Sequence, residues 1–185
     1  GSGNIKPYES LKNVFLKDWN SEVILALARD NGYSIDKCGS PYVLGGWSSW
    51  GPTQQAVDAF FMANGRSIDD PASGYVETGF ASTGGATTWA HKQGDWNMYA
   101  NREPRFYAYI QYNGRPVLPA PTVDDKNYYS SDANKDATGR VEFYYNGKSG
   151  QKSAGTSNIT GYDVLKRINP SDNIRNDATT YRPYI

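Results

Sequence analysis

Gly51-Pro52-Thr53-Gln54-Gln55-Ala56-Val57-Asp58-Ala59-Phe60-Phe61-Met62-Ala63-Asn64-Gly65 is the most strongly patterned stretch of the 185-residue chain. Pro52 and Thr53 suit a helix entrance, with Thr53 as the cap, because a threonine oxygen can accept from a backbone N–H one turn on. Ala56, Val57, Phe60 and Phe61 recur at helical spacing, so the pattern predicts a helix over 53–63 that buries Val57, Phe60 and Phe61. Asn64-Gly65 supplies a left-handed stop. Outward from this helix the chain changes character. Residues 65–100 hold Asp69-Asp70-Pro71, Gly84-Gly85, Trp89 and Trp96 with little periodicity, and read as one long loop. A loop of that length within a domain is usually functional or externally supported.

The flanks add short elements. Tyr8, Leu11, Val14, Phe15 and Leu16 predict a helix near 8–17. Residues 22–29 form an apolar run that reads as a buried strand, although periodicity alone does not separate it from a helix. Asn101 is placed to cap a short helix carrying Pro104, with proline confined to the first turn. Tyr107–Tyr112 reads as a strand closed by an Asn113-Gly114 hairpin turn. Val141–Tyr145 and Gly161–Ile168 are two further strand candidates. The expected fold class is α+β, with extensive irregular loops, a few short helices and short antiparallel strands. Gly1-Ser2-Gly3 reads as an expression-tag remnant, leaving 4–185 as a single domain.

Composition narrows the function. Nineteen basic and nineteen acidic residues balance, so the chain lacks the positive excess of a nucleic-acid binder. One cysteine, Cys38, precludes an internal disulfide, and one histidine, His91, leaves no Cys/His zinc set. No nucleophile elbow or phosphate-binding glycine loop occurs. Cys38–His91 is the sole possible thiol dyad, and isolated residues of these types are most often structural. Asp69-Asp70, Asp95, Asp124-Asp125 and Glu142 could in principle supply a glycosidase pair, but solvated loop acids are the commoner role. Asp132–Gly139 imitates the start of a calcium loop. Ala137 stands where the sharp-turn glycine belongs, and Phe143 where the closing glutamate belongs, so a polar turn is the stronger reading. Neither a metal site nor a cofactor is assigned.

What remains is aromatic. Fifteen Tyr, six Phe and five Trp make up 14% of the chain, and several lie outside periodic segments. Sugars present C–H faces that pack on flat rings and hydroxyls that need polar neighbours. Trp47, Trp50, Trp89 and Trp96, with Tyr75, are therefore the candidate ligand-binding residues. The competing role for each is to anchor a loop to the core.

Four segments in order also resemble the SusD/RagB family of outer-membrane nutrient-binding lipoproteins of Bacteroidetes. They are Gly51–Phe60 with Asn64-Gly65-Arg66-Ser67-Ile68; Asn101-Arg102-Glu103-Pro104-Arg105-Phe106 with Tyr112-Asn113-Gly114; Gly161-Tyr162 with Lys166; and Ser21-Glu22-Val23-Ile24. The resemblance implies a non-catalytic, surface-exposed lipoprotein of the outer membrane. It would capture an oligosaccharide or polysaccharide (in some members, peptide) beside a SusC-like TonB-dependent transporter, contacting membrane only through a lipid anchor. The family scaffold is mainly α, with TPR-like helix pairs that this sequence does not display, so the chain reads as a central fragment. The alternatives are a glycoside hydrolase-like domain and a structural or interaction segment with no ligand of its own.

Overall fold

The computed structural model describes residues 5–16, 20–25, 38–39, 46–115, 140–147, 150 and 158–168. Four helices or strands surround an aromatic centre after a first helix: α1 (Pro7–Leu16), α2 (Gln54–Asp58), α3 (Pro104–Tyr109), β1 (Ile110–Tyr112) and β2 (Tyr162–Val164). A 3-10 turn covers Asn97–Tyr99 within the long loop. The α+β class with irregular connections is therefore observed.

Helix α2 starts as its sequence predicts. The Thr53 hydroxyl accepts from the Ala56 N–H at 3.3 Å. It stops four or five residues early, and the reason lies elsewhere in the chain. The buried Arg102 guanidinium donates from Nη2 to the carbonyls of Val57 and Phe60, both at 2.8 Å. The Val57 carbonyl also accepts from the Phe60 N–H at 3.3 Å, and the guanidinium supplies donors to carbonyls freed where the helix ends. Met62 then pairs in an isolated bridge with Arg102. Val57 is buried and Phe60 half-buried, but Phe61 is 44% exposed, so the expected burial of Phe61 is corrected. Gly65 is left-handed (φ +79°) as expected, but it closes a later turn and not the helix.

Helix α3 keeps Pro104 in its first turn, where its missing N–H costs no hydrogen bond. Its cap position is Glu103, not Asn101, which is itself left-handed at φ +53°. Tyr107–Tyr109 continue this helix, so the expected strand is only Ile110–Tyr112. β1 also does not close a hairpin at Asn113-Gly114. It pairs antiparallel with β2, Gln111 facing Asp163 and Tyr112 facing Tyr162. The Val141–Tyr145 stretch is not a strand. The Val141 N–H donates to the Arg115 carbonyl and its carbonyl accepts from the Gly114 N–H, after which the chain turns through Asn146 (φ +61°). Residues 22–25 lie in a turn with Ile24 98% exposed, which contradicts a buried strand there; 26–29 lie outside the described residues.

The two strands divide two environments. Ile110, Tyr112 and Tyr162 face a core completed by Val57, Tyr99, Phe106 and Tyr107. Tyr99 and Tyr112 stack with centroids 4.4 Å apart, and Phe106 meets Tyr107 edge-on at 5.2 Å. Offset and edge-to-face rings of this kind add stabilisation beyond area burial. With period-two alternation, Gln111 and Asp163 project to the opposite face, and both are buried. Helix α1 docks on α3 through Phe15 against Tyr109, and buried Lys12 ties it to the segment after β2, its Nζ donating to the Leu165 carbonyl at 2.6 Å.

Candidate functional site

The long loop is rigidly built. Segments around 79–81 and 94–97 run antiparallel, joined by an isolated bridge between Phe80 and Trp96. Ala81 N–H donates to the Asp95 carbonyl at 2.8 Å and Asn97 N–H to the Gly79 carbonyl at 3.0 Å. Asn97 Nδ2 reaches the Thr78 carbonyl at 2.8 Å. Gly79 is left-handed (φ +82°), and a Cβ there would press within 3.1 Å of Asn97 Nδ2, so the turn needs glycine at this position.

Asp95 roots this loop in the molecule. Its buried carboxylate accepts from the Lys92 N–H (2.8 Å), from the Tyr112 hydroxyl (3.0 Å) and from Arg140 Nη1 (2.8 Å). Burial raises the Tyr112 hydroxyl's pKa, which keeps it protonated as the donor. His91 roots the other end. Its Nδ1 accepts from the Asn101 N–H at 3.3 Å, and burial lowers its pKa, so the ring is held neutral.

On this base Phe80 and Trp96 stack with centroids 6.0 Å apart and planes 20° from parallel. Phe80 is 70% and Trp96 43% exposed. Two large rings in water on a braced loop are the most unusual surface feature described. Trp47 and Trp50 are half exposed on a second segment, 46–51, which covers the polar face of β2. Trp89 is placed differently. It stacks on Tyr8 at 5.2 Å and 3°, leans on Tyr107 at 5.7 Å, and is half-buried between them. Tyr75 is also half-buried, with the Arg102 guanidinium 5.8 Å from its ring centre. The structure thus sorts the five candidates into outward rings (Trp47, Trp50, Trp96) and inward-packed ones (Tyr75, Trp89).

Phe80 was not among the residues singled out from sequence. Its signal is an aromatic directly after a glycine within an unpatterned loop, as at Trp47 and Tyr75. Tyr144 and Tyr145 are likewise exposed on the 141–147 turn. A shallow cavity of about 310 Å³ lies between α2 and α3, lined by Ala56, Ala59, Phe60, Arg105 and Tyr109.

The acids are placed as follows. Asp95 and Asp163 are buried and hydrogen-bonded. Asp70 pairs with Arg66 at 2.6 Å, and the Ala72 N–H and Arg66 together hold its pKa below the usual carboxylate value. Asp124, Asp125 and the 132–139 loop lie outside the described residues. Among the described residues no group of three or more His, Cys, Asp or Glu is close enough to hold a metal ion, and no helix is long and apolar enough to cross a membrane. Cys38 is a half-buried free thiol.

A model of the SusD family matches residues 14–185, and the chain belongs to that family. No curated protein matches it.

Proposed function

We propose that this SusD-family chain is a non-catalytic glycan-binding unit of a nutrient-uptake protein. The observation that carries the reading is the exposed Phe80–Trp96 stack on a hydrogen-bonded loop. A pyranose ring laid on such a pair removes apolar area of both partners from water, while the loop's threonines and amides accept and donate to its hydroxyls. Trp47 and Trp50 form a second outward aromatic surface, while Tyr75 and Trp89 pack inward on Arg102, Tyr8 and Tyr107. Stacking on one ring contributes on the order of 1–3 kcal/mol, by analogy with base–aromatic stacking.

In the whole protein this unit would work at the outer-membrane surface, as part of a lipid-anchored lipoprotein seated on a SusC-like transporter. The family supports that setting, and neutral net charge and the absence of any recognised nucleophile motif in the sequence agree with capture without chemistry. The test is isothermal titration of the chain against a panel of neutral oligosaccharides, run beside chromogenic glycosides. Saturable heat with no released chromophore is expected. Turnover that disappears on changing a single carboxylate would replace this reading with a glycosidase.

A further inference from the structure

Segment 46–51 is fastened to the molecule more tightly than its irregular backbone suggests. Ser49 N–H donates to the Cys38 carbonyl at 2.8 Å. Gly51 sits so close to Thr160 and the Tyr162 carbonyl that a Cβ has no room. Next to these points Ser48 is buried, although Trp47 and Trp50 on either side stand half in solvent. Ser48 is left-handed at φ +47°, a conformation that a non-glycine residue keeps only when its surroundings impose it. Ser48 Oγ donates to Asp163 Oδ2 at 3.0 Å, which ties this residue to β2.

The acceptor is itself immobilised. Asp163 sits mid-strand in β2, fully buried and paired with Gln111. Its second oxygen accepts from Asn158 Nδ2 at 2.7 Å. Asn158 Oδ1 in turn accepts from the Thr160 N–H at 3.0 Å and from the Gly161 N–H. Burying a carboxylate among neutral donors is costly, and an apolar residue would fill the site with less penalty.

We infer that Ser48 and Asp163 are positioning residues that preset Trp47 and Trp50 as a fixed aromatic surface. The inference rests on the reading of these tryptophans as glycan contacts. Ser48 turned inward at a left-handed residue throws its neighbours outward. Tying that residue to a strand removes rotational and backbone freedom that a sugar would otherwise have to freeze on binding.

The test needs no ligand at first. The chain is labelled with 5-fluorotryptophan, and its fluorine resonances are assigned with W47F and W50F. S48G removes the hydroxyl and relieves the positive φ, whereas S48A would keep a side chain in that strained conformation. In S48G the Trp47 and Trp50 resonances should shift or broaden while those of Trp89 and Trp96 hold. D163N made alone, with Ser48 present, should keep the wild-type pattern, because its amide can accept from Asn158 and donate to the Ser48 oxygen. Unchanged Trp47 and Trp50 resonances in S48G would overturn the inference, as would equal movement of all the tryptophans. Affinity then separates the two claims. S48G should weaken binding of the panel oligosaccharide about tenfold, and have no further effect in a W47A/W50A background. Glycan binding indifferent to W47A/W50A, with the resonances moving as expected, refutes the ligand role of these tryptophans and leaves the positioning intact.

Discussion

Asp163 is a fully buried carboxyl whose titration bears on stability below neutral pH. Burial is the main cause of its displaced titration, and it outweighs the hydrogen bonds from Asn158 and Ser48, pushing the carboxyl up to about 7 from an ordinary 3.8. Between those values the native state holds a proton that the unfolded chain has released. Stability contributed here is therefore complete below about pH 4 and falls as pH rises, until the loss is full above about pH 7. Asp163→Asn keeps the shape and removes the titration. In urea melts at pH 4 and pH 8 the wild type should lose on the order of 4 kcal/mol more than the variant over that interval. Equal losses would mean that the carboxylate is solvated. His91 acts with the opposite sign. Its folded pKa is depressed below 6.5, so its contribution is present above that pH and lost as pH falls beneath it. His91→Gln should flatten the melts' acid limb below pH 6.5.

Helices and strands depend here on residues far along the chain. Arg102 ends α2 from 45 residues away and also donates to the Met98 carbonyl at 3.0 Å. Arg102→Met retains bulk but removes the donors to the Val57, Phe60 and Met98 carbonyls, and should cost about 3–5 kcal/mol in urea denaturation. Arg105→Met, on the exposed side of α3, should cost under about 1 kcal/mol. Similar costs for the two would show that Arg102 is not the clamp. Phe106→Ala, with no exposed surface, should cost about 3–5 kcal/mol, and Phe61→Ala, half in water, far less. The same distances explain what the sequence could and could not reveal. Thr53 marks the start of α2 through its nearest neighbours, and Pro104 confines the start of α3 to its first turn, although the cap is Glu103 and not Asn101. The end of α2 depends on Arg102, and β1 on a partner some fifty residues on, neither of which local periodicity can encode. Tyr107–Tyr109 alternate aromatics as a strand would, but the helix begun at Pro104 absorbs them. Gly161–Ile168 yielded a real strand because Tyr162 and Val164 alternate around Asp163, although only three residues of it pair.

Across the whole molecule the aromatic excess divides into two uses. Tyr99, Phe106, Tyr107, Tyr112 and Tyr162 build a stacked core in a chain with only 38% hydrophobic residues. Phe80, Trp96, Trp47 and Trp50 are left outside. Composition revealed the excess but not the division, because Trp89 and Trp96 occupy similar loop sequence and only packing against Tyr8 turns Trp89 inward. The central claim is that the outward set binds glycan. Its most direct test is the affinity of the chain for the oligosaccharide it binds best, measured by calorimetry for Trp96→Ala, Phe80→Ala, Trp47→Ala, Trp50→Ala and Trp89→Ala, with folding checked by circular dichroism. Trp96→Ala and Phe80→Ala should each weaken binding about tenfold or more at unchanged fold, and Trp89→Ala should lower stability first. Wild-type affinity in all of the folded variants would contradict the claim and assign these rings to loop packing.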